Sequence, residues 1–214
     1  MKNEKFLIYG RHAVFAALAN LSRRVDEIYI IRDNQELKKS IELLLIKNKR
    51  KINLRYVDNN FFDITFKKKV KHQGIALKTY KLNLSNYTSV FESNKFKIGV
   101  ILDSLTDPNN IGAIYRSAKA FDINFIINST KNAITENSAL LNSACGAYET
   151  MDTFVTNNIS NAIKKFISEG WWVIGLDHDA NANIEDIIRK MQITDKFIIV
   201  LGSEGEGIRR LIKK

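Results

Sequence analysis

A single cysteine, Cys145, stands among 214 residues. No internal disulfide can form, and a reducing compartment is the natural home of such a chain. Without a CxxC pair or a Cys/His cluster, nothing supports a metal site, and none is expected. Long apolar runs are missing too: no stretch approaches the roughly 20 apolar residues that span a bilayer. The opening MKNEKFLIYGRHAVFAAL is broken by charge too often for a secretory h-region. A cytoplasmic protein with no membrane partner is the expectation. Internal repeats, low-complexity tracts, a Ser/His/Asp triad and a paired-carboxylate hydrolase pattern are all absent. Acid is scarce relative to base: Lys plus Arg number 33 against 23 for Asp plus Glu, a formal charge of +10. That excess favours polyanionic partners, because neutralised phosphates release counterions.

What is present is an alternation of strands and helices. EIYII at residues 27–31 predicts a buried strand, and Leu37, Ile41, Leu44 and Leu45 fall at helical spacing behind Asn34 as a cap. INLRYV (52–57) and GIALKTY (74–80) predict further strands, with a short helix between them. The division expected is a small α/β domain over residues 1–80, a polar linker over 81–96, and a second α/β domain over 97–214 with a mostly parallel sheet. In that second part, strands are expected at 97–102, 124–128, 171–176 and around FIIVLG. Helices are expected at 111–121, 138–147, 160–168, IEDIIRKM and 211–214.

Two stretches carry chemistry. ILDSLTDPNNIGAIYRSAKAF (101–121) reads as a buried strand, a polar turn with Asp103, Asp107, Pro108, Asn109 and Asn110, then an amphipathic helix bearing Arg116. Asn109 or Asn110 can cap that helix, whose apolar stripe is Ile111, Ile114, Tyr115, Ala118 and Phe121. Side chains on a helix lean toward its N-terminus, so the Arg116 guanidinium can reach back to grip a phosphate or hold a ribose. A capped helix with a solvated arginine fits this segment equally well. FIIVLGSEGEGIRRL (197–211) places Gly202, Gly205 and Gly207 in one turn with Glu204 and Glu206. This is neither a dinucleotide fingerprint nor a Walker loop. Two carboxylates repel a pyrophosphate but suit hydroxyls, an amine or a positive centre, all of which S-adenosylmethionine offers. A plain strand-to-helix turn with exposed acids, or a generic nucleotide-binding protein, stays open. Basic runs at 47–51 and 67–71 suit an RNA-gripping face. His72 could touch a phosphate or cap a strand, with the structural role favoured, and Cys145 is expected to pack rather than act as a nucleophile.

LDSLTDPNNIGAIYRSA resembles the first motif of the TrmH (SpoU) branch of SPOUT RNA methyltransferases, and IIVLGSEGEGIRRL resembles the second. ACGAYE (144–149) is similar to the family's intervening small-residue stretch. IYGRHAV and HQGIAL resemble the N-terminal RNA-binding domain of the family's RlmB type. The resemblance implies S-adenosylmethionine-dependent 2′-O-methylation of a ribose, with guanosine in large-subunit ribosomal RNA as the expected target. It assigns Asn110, Arg116 and Glu204 to catalysis, and Leu201, Gly202, Gly205 and Gly207 to the cofactor. An always-charged guanidinium is a poor base, so Arg116 is expected to orient the ribose and stabilise the developing alkoxide. No Pro-Cys pair is present, against base methylation through a thiolate. The resemblance also implies a homodimer and a knotted second domain. The family's third motif is expected after Leu211, whereas the sequence stops at Lys214. The knot is therefore expected to be incomplete. The alternatives are a catalytically inactive RNA-binding remnant and a transfer-RNA 2′-O-methyltransferase.

Overall fold

The computed structural model describes residues 4–67, 69–130, 136–177, 179–180, 182–190, 196–203 and 207–209. In chain order the elements are β1 (Lys5–Tyr9), α1 (Arg11–Ala19), β2 (Val25–Ile31), α2 (Gln35–Lys47), β3 (Asn53–Val57), α3 (Asn59–Phe66) and β4 (Ile75–Tyr80). There follow β5 (Ser85–Asn86), a 3-10 turn (Tyr87–Glu92), β6 (Ile98–Leu102), α4 (Pro108–Ala120), β7 (Phe125–Ser129), α5 (Ser138–Ser143) and α6 (Ala147–Thr150). The remainder comprises β8 (Asp152–Thr156), α7 (Ile159–Ser168), β9 (Trp172–Leu176), α8 (Ile184–Lys190) and β10 (Phe197–Leu201). Six elements were not anticipated from pattern: β1, α1, β5, the 3-10 turn, α6 and β8. The expected helix over 211–214 lies outside the described residues.

The chain divides into two compact units, and the division runs through α4. One unit holds residues 1–83, 108–116 and 136–150; the other holds 84–107, 117–135 and 151–214. In the first, a mixed sheet has the order β1-β4-β2-β3, antiparallel except for the β2–β3 pair. On one of its faces Phe62 of α3 buries against Tyr29, Val57 and Ala76. The expected cap holds: Asn34 accepts the Leu37 N–H. The expected helix over 138–147 is interrupted at Cys145 and Gly146, both with positive φ. A Cβ on Gly146 would lie 2.9 Å from Ala16 Cβ, so close packing on α1 and the φ of +90° both require glycine there.

This first unit also buries charge. Arg23 Nη2 lies 2.6 Å from a carboxylate oxygen of both Glu136 and Glu149, with side-chain exposures of 0%, 4% and 2%. Arg23 Nε donates to Glu149, and Nη1 donates to the Tyr80 carbonyl. Asn20 donates to Glu149, and the Leu82 N–H donates to Glu136. Burial pushes the Glu136 carboxyl up, and the pull of Arg23, shared between two acids, does not reverse it. For Arg23 burial works against the charge, but the hydrogen bond to Glu149 and the charges of both acids outweigh it and raise the guanidinium. Arg50, part of the 47–51 basic run, turns inward and donates to the Leu18 and Asn20 carbonyls. It is therefore spent on structure rather than on the surface.

The second unit is built on a six-stranded sheet of order β5-β8-β7-β6-β10-β9, parallel throughout. This is the expected α/β class with a mostly parallel sheet. Its central strands β6, β7 and β10 read as apolar runs because the middle of such a sheet is covered on both faces. One face packs Phe96, Phe125, Phe154, Phe166 and Trp171 with Ile101, Ile127, Ile198 and Val200. Gly99 makes this possible: a Cβ there would stand 2.3 Å from Phe125 Cζ on the neighbouring strand. Chain order reverses between β6 and β10, so their carboxyl ends flank the crevice where parallel sheets receive ligands.

Candidate active site

Pro108 opens α4, with its fixed φ suited to the first helical position. Asp107 therefore precedes the helix, and Asn109 and Asn110 lie inside its first turn instead of capping it. Ile111, Tyr115 and Ala118 are buried, but Phe121, expected on the same stripe, is 78% exposed beyond the helix end. Asn110 is half-buried and Arg116 exposed. They sit roughly 9 Å apart along the axis at 1.5 Å per residue. The first turns are seated on α5. Ser143 Oγ donates to the Asn109 carbonyl at 2.7 Å. A Cβ on Gly112 would stand 2.5 Å from the Leu140 carbonyl oxygen and from Ser143 Cβ. Tyr115 packs on Tyr148 of α6, ring centroids 4.8 Å apart. The small-residue stretch around ACGAYE thus exists to let backbones approach.

The glycine loop begins where β10 ends. Leu201 pairs with Leu102, and its carbonyl accepts the Asp103 N–H at 2.8 Å. Ser203 and Gly207 exchange backbone hydrogen bonds of 3.1 and 2.9 Å, closing the loop on itself. A Cβ on Gly202 would fall 2.1 Å from the Gly207 carbonyl carbon. Gly202 is thus demanded by the loop's own closure. Gly207 supplies the left-handed turn at φ 64°. Glu204 and Gly205 lie outside the described residues. Leu201, Gly202 and Gly207 therefore share one closed turn, and Asn110 and Arg116 share one helix.

A pair not anticipated from sequence fastens the loop. Asp103 is completely buried just beyond β6, with Arg209 Nη2 2.6 Å from Oδ1. The Arg209 N–H donates to Oδ2 at 3.2 Å, and Ser104 Oγ donates to Oδ1. One carboxylate so ties the residue after β6 to the far side of the loop after β10. The sequence separation of 106 residues hid the pairing. Beside it opens a cleft of about 420 Å³, lined by Val173, Gly175, Asp177, Asp179, Val200 and Ile208 among others. Gly175 leaves room for Ile208, whose Cδ1 would be 2.8 Å from a Cβ there. The only local signal was an acid pair following a strand end in a parallel sheet. Its size falls in the range of small-molecule sites, and its two carboxylates suit a cationic, hydroxyl-bearing ligand better than a phosphate.

The motifs near the N-terminus meet at one turn. Arg11 N–H donates to Gln73 Oε1, the Gly10 N–H to the Ile75 carbonyl, and the Gly74 N–H to His72 Nδ1. The His72 ring stacks on Phe62 at 4.0 Å. His72 thus serves the entry to β4, as expected, whereas Cys145 is exposed and not packed. Among the described residues, no helix is long and apolar enough to cross a membrane.

These features can be set beside known proteins. The model of the SpoU rRNA Methylase family matches residues 97–214, and that of RNA 2′-O ribose methyltransferase substrate binding matches residues 7–84. The chain is similar to the 23S rRNA (guanosine-2′-O-)-methyltransferase RlmB of Coxiella burnetii, at 30% identity over 97% of this chain and 82% of that protein. An uncharacterized tRNA/rRNA methyltransferase of Borreliella burgdorferi is 29% identical over 82% of this chain and 79% of its own length. In fold it is similar to the SpoU methyltransferase AviRb of Streptomyces viridochromogenes, solved in complex with AdoMet. That likeness has a TM-score of 0.77 and 15% identity, and covers 98% of this chain and 77% of that one. On this evidence of sequence and fold together, the chain belongs to the SpoU rRNA methylase family.

Proposed function

We propose that this protein transfers a methyl group from S-adenosylmethionine to the 2′-hydroxyl of a guanosine in 23S ribosomal RNA, in the cytoplasm and as a homodimer. The observation that carries this reading is the 30% identity, over 97% of the chain, to a relative named for that reaction. In this reading residues 1–80 capture RNA, 81–96 connect, and 97–214 catalyse. The cofactor, when bound, supplies an electrophilic methyl group on a sulfonium. Leu201, Gly202, Gly205 and Gly207 would hold it, and Asp177 and Asp179 in the adjoining cleft would favour its cationic and hydroxyl groups. Asn110 orients the ribose. Arg116, exposed and permanently charged, would grip a neighbouring phosphate and stabilise the developing alkoxide as the hydroxyl gives its proton to solvent and its oxygen takes the methyl group, S-adenosylhomocysteine being the leaving group. Glu204 is the loop acid that completes the catalytic set.

The test uses labelled S-adenosylmethionine with unmodified 23S rRNA and, in parallel, transfer RNA. Label in an alkali-resistant dinucleotide from the ribosomal RNA is the expected result; label only in transfer RNA would move the substrate. Saturable cofactor binding in a calorimeter separates an enzyme from an inactive RNA-binding remnant. Arg116→Ala should lower kcat about a hundredfold or more, a loss well beyond the modest drop in RNA affinity that one missing phosphate contact brings. Normal turnover by that variant would remove Arg116 from the mechanism.

A further inference from the structure

We propose that Arg23, far in sequence from both motifs, is a positioning residue for methyl transfer. It clamps the two ends of the segment on which the first turns of α4 are seated. The inference rests on the reading above, because that reading places Asn110 and Arg116 in the active site. Its physical content is a continuous series of contacts within one compact unit.

Arg23 holds Glu136 at one end of the segment and Glu149 at the other, each at 2.6 Å. Next to Glu136, Asn137 caps α5 by accepting the Leu140 N–H. From α5, Ser143 donates to the Asn109 carbonyl, and the Leu140 carbonyl oxygen lies 2.5 Å from where a Cβ of Gly112 would be. Next to Glu149, Tyr148 packs on Tyr115, the residue before Arg116. Each acid held by the guanidinium is therefore one residue away from the start of a contact leading to α4. Glu149 also receives Asn20, which fixes it to the part of the chain read as RNA-binding, and Glu136 receives the Leu82 N–H just after that part. The dry ion cluster stabilises little that apolar residues of equal volume would not. What it adds is one permitted geometry, because any displacement leaves a desolvated charge unpaired. Methyl transfer needs that geometry more than binding does: a misplacement of about 1 Å remote from the reacting atoms costs on the order of a hundredfold in rate.

The experiment compares the unaltered chain with Glu149→Gln and Arg23→Lys, measuring kcat, both KM values and amide hydrogen exchange. The expected result is a kcat lower by about tenfold or more, with KM for RNA and for cofactor within about twofold. Amides of 109–116 and 138–150 should exchange faster, while those of β6, β7 and β10 keep their protection. A folded variant with normal kcat, or with normal exchange over 109–116, overturns the proposal. Should Glu149→Gln fail to fold, Glu136→Gln gives the same two readouts from the other end of the segment. If the unaltered chain methylates no RNA, the functional reading fails by itself. The exchange measurement still decides whether Arg23 governs α4.

Discussion

The two units handle buried charge in opposite ways. In the first, Arg23, Glu136 and Glu149 are all withdrawn from water and answer only to one another and to nearby amides and carbonyls. In the second, Asp103 is just as buried, but its partner Arg209 keeps 43% of its side chain in solvent. A wholly dry cluster is rigid and intolerant, since no water can replace a lost partner. A half-wet pair can loosen and re-form, which suits a clip on a ligand-binding loop. The difference predicts that the first cluster matters for folding and fixed geometry, and the second for local closure around the Gly202 turn.

The largest expected effect comes from Arg23→Met. It strands two desolvated carboxylates and should cost about 3–5 kcal/mol in urea unfolding. Adding Glu136→Leu and Glu149→Leu should restore most of that stability without restoring kcat; recovery of both would erase the distinction between stability and positioning. Asp103→Asn comes next. With Arg209 half in water the loss should be about 1–2 kcal/mol, discounted for solvent screening. Its sharper signature is weaker cofactor binding in calorimetry with RNA affinity unchanged, and equal losses for both ligands would count against a local clip. The smallest effect concerns a neutral group, Tyr29, whose phenol burial raises from near 10 to about 12, with Glu27 adding to it. A folded-state value above the unfolded one means its stability is fully present below pH 10 and is lost as pH climbs through 12. Tyr29→Phe should flatten that alkaline decline, and a decline of unchanged slope would show that other groups cause it.

How legible this was varied with the range of the forces involved. The apolar runs of β6 and β10 announced a parallel sheet because burial on both faces leaves no room for polar alternation, whereas β9, at the sheet edge, is apolar but largely exposed. β8 escaped notice since its five residues carry only Phe154 and Val155 as large apolar groups. Capping by Asn34 was readable because it is a contact within one turn. The cap of α4 was misjudged because Pro108 moved the helix start back to itself, and Phe121 was misplaced because the helix ends one residue earlier. Arg50 and Cys145 looked like surface charge and core filler, and tertiary surroundings exchanged those roles.

Local chemistry, written in the order of residues, therefore determined the alternating strands and helices, the basic balance, and the two motifs that mark the family. It could do so because hydrophobic periodicity, turn residues and net charge act over a few positions or over the whole composition. Only the folded chain decided that Gly202 closes on Gly207, that Asp103 meets Arg209, and that one buried arginine joins Glu136 to Glu149. Those contacts link residues from 5 to 126 positions apart. Their partners are chosen by packing and desolvation, which no window of sequence can represent.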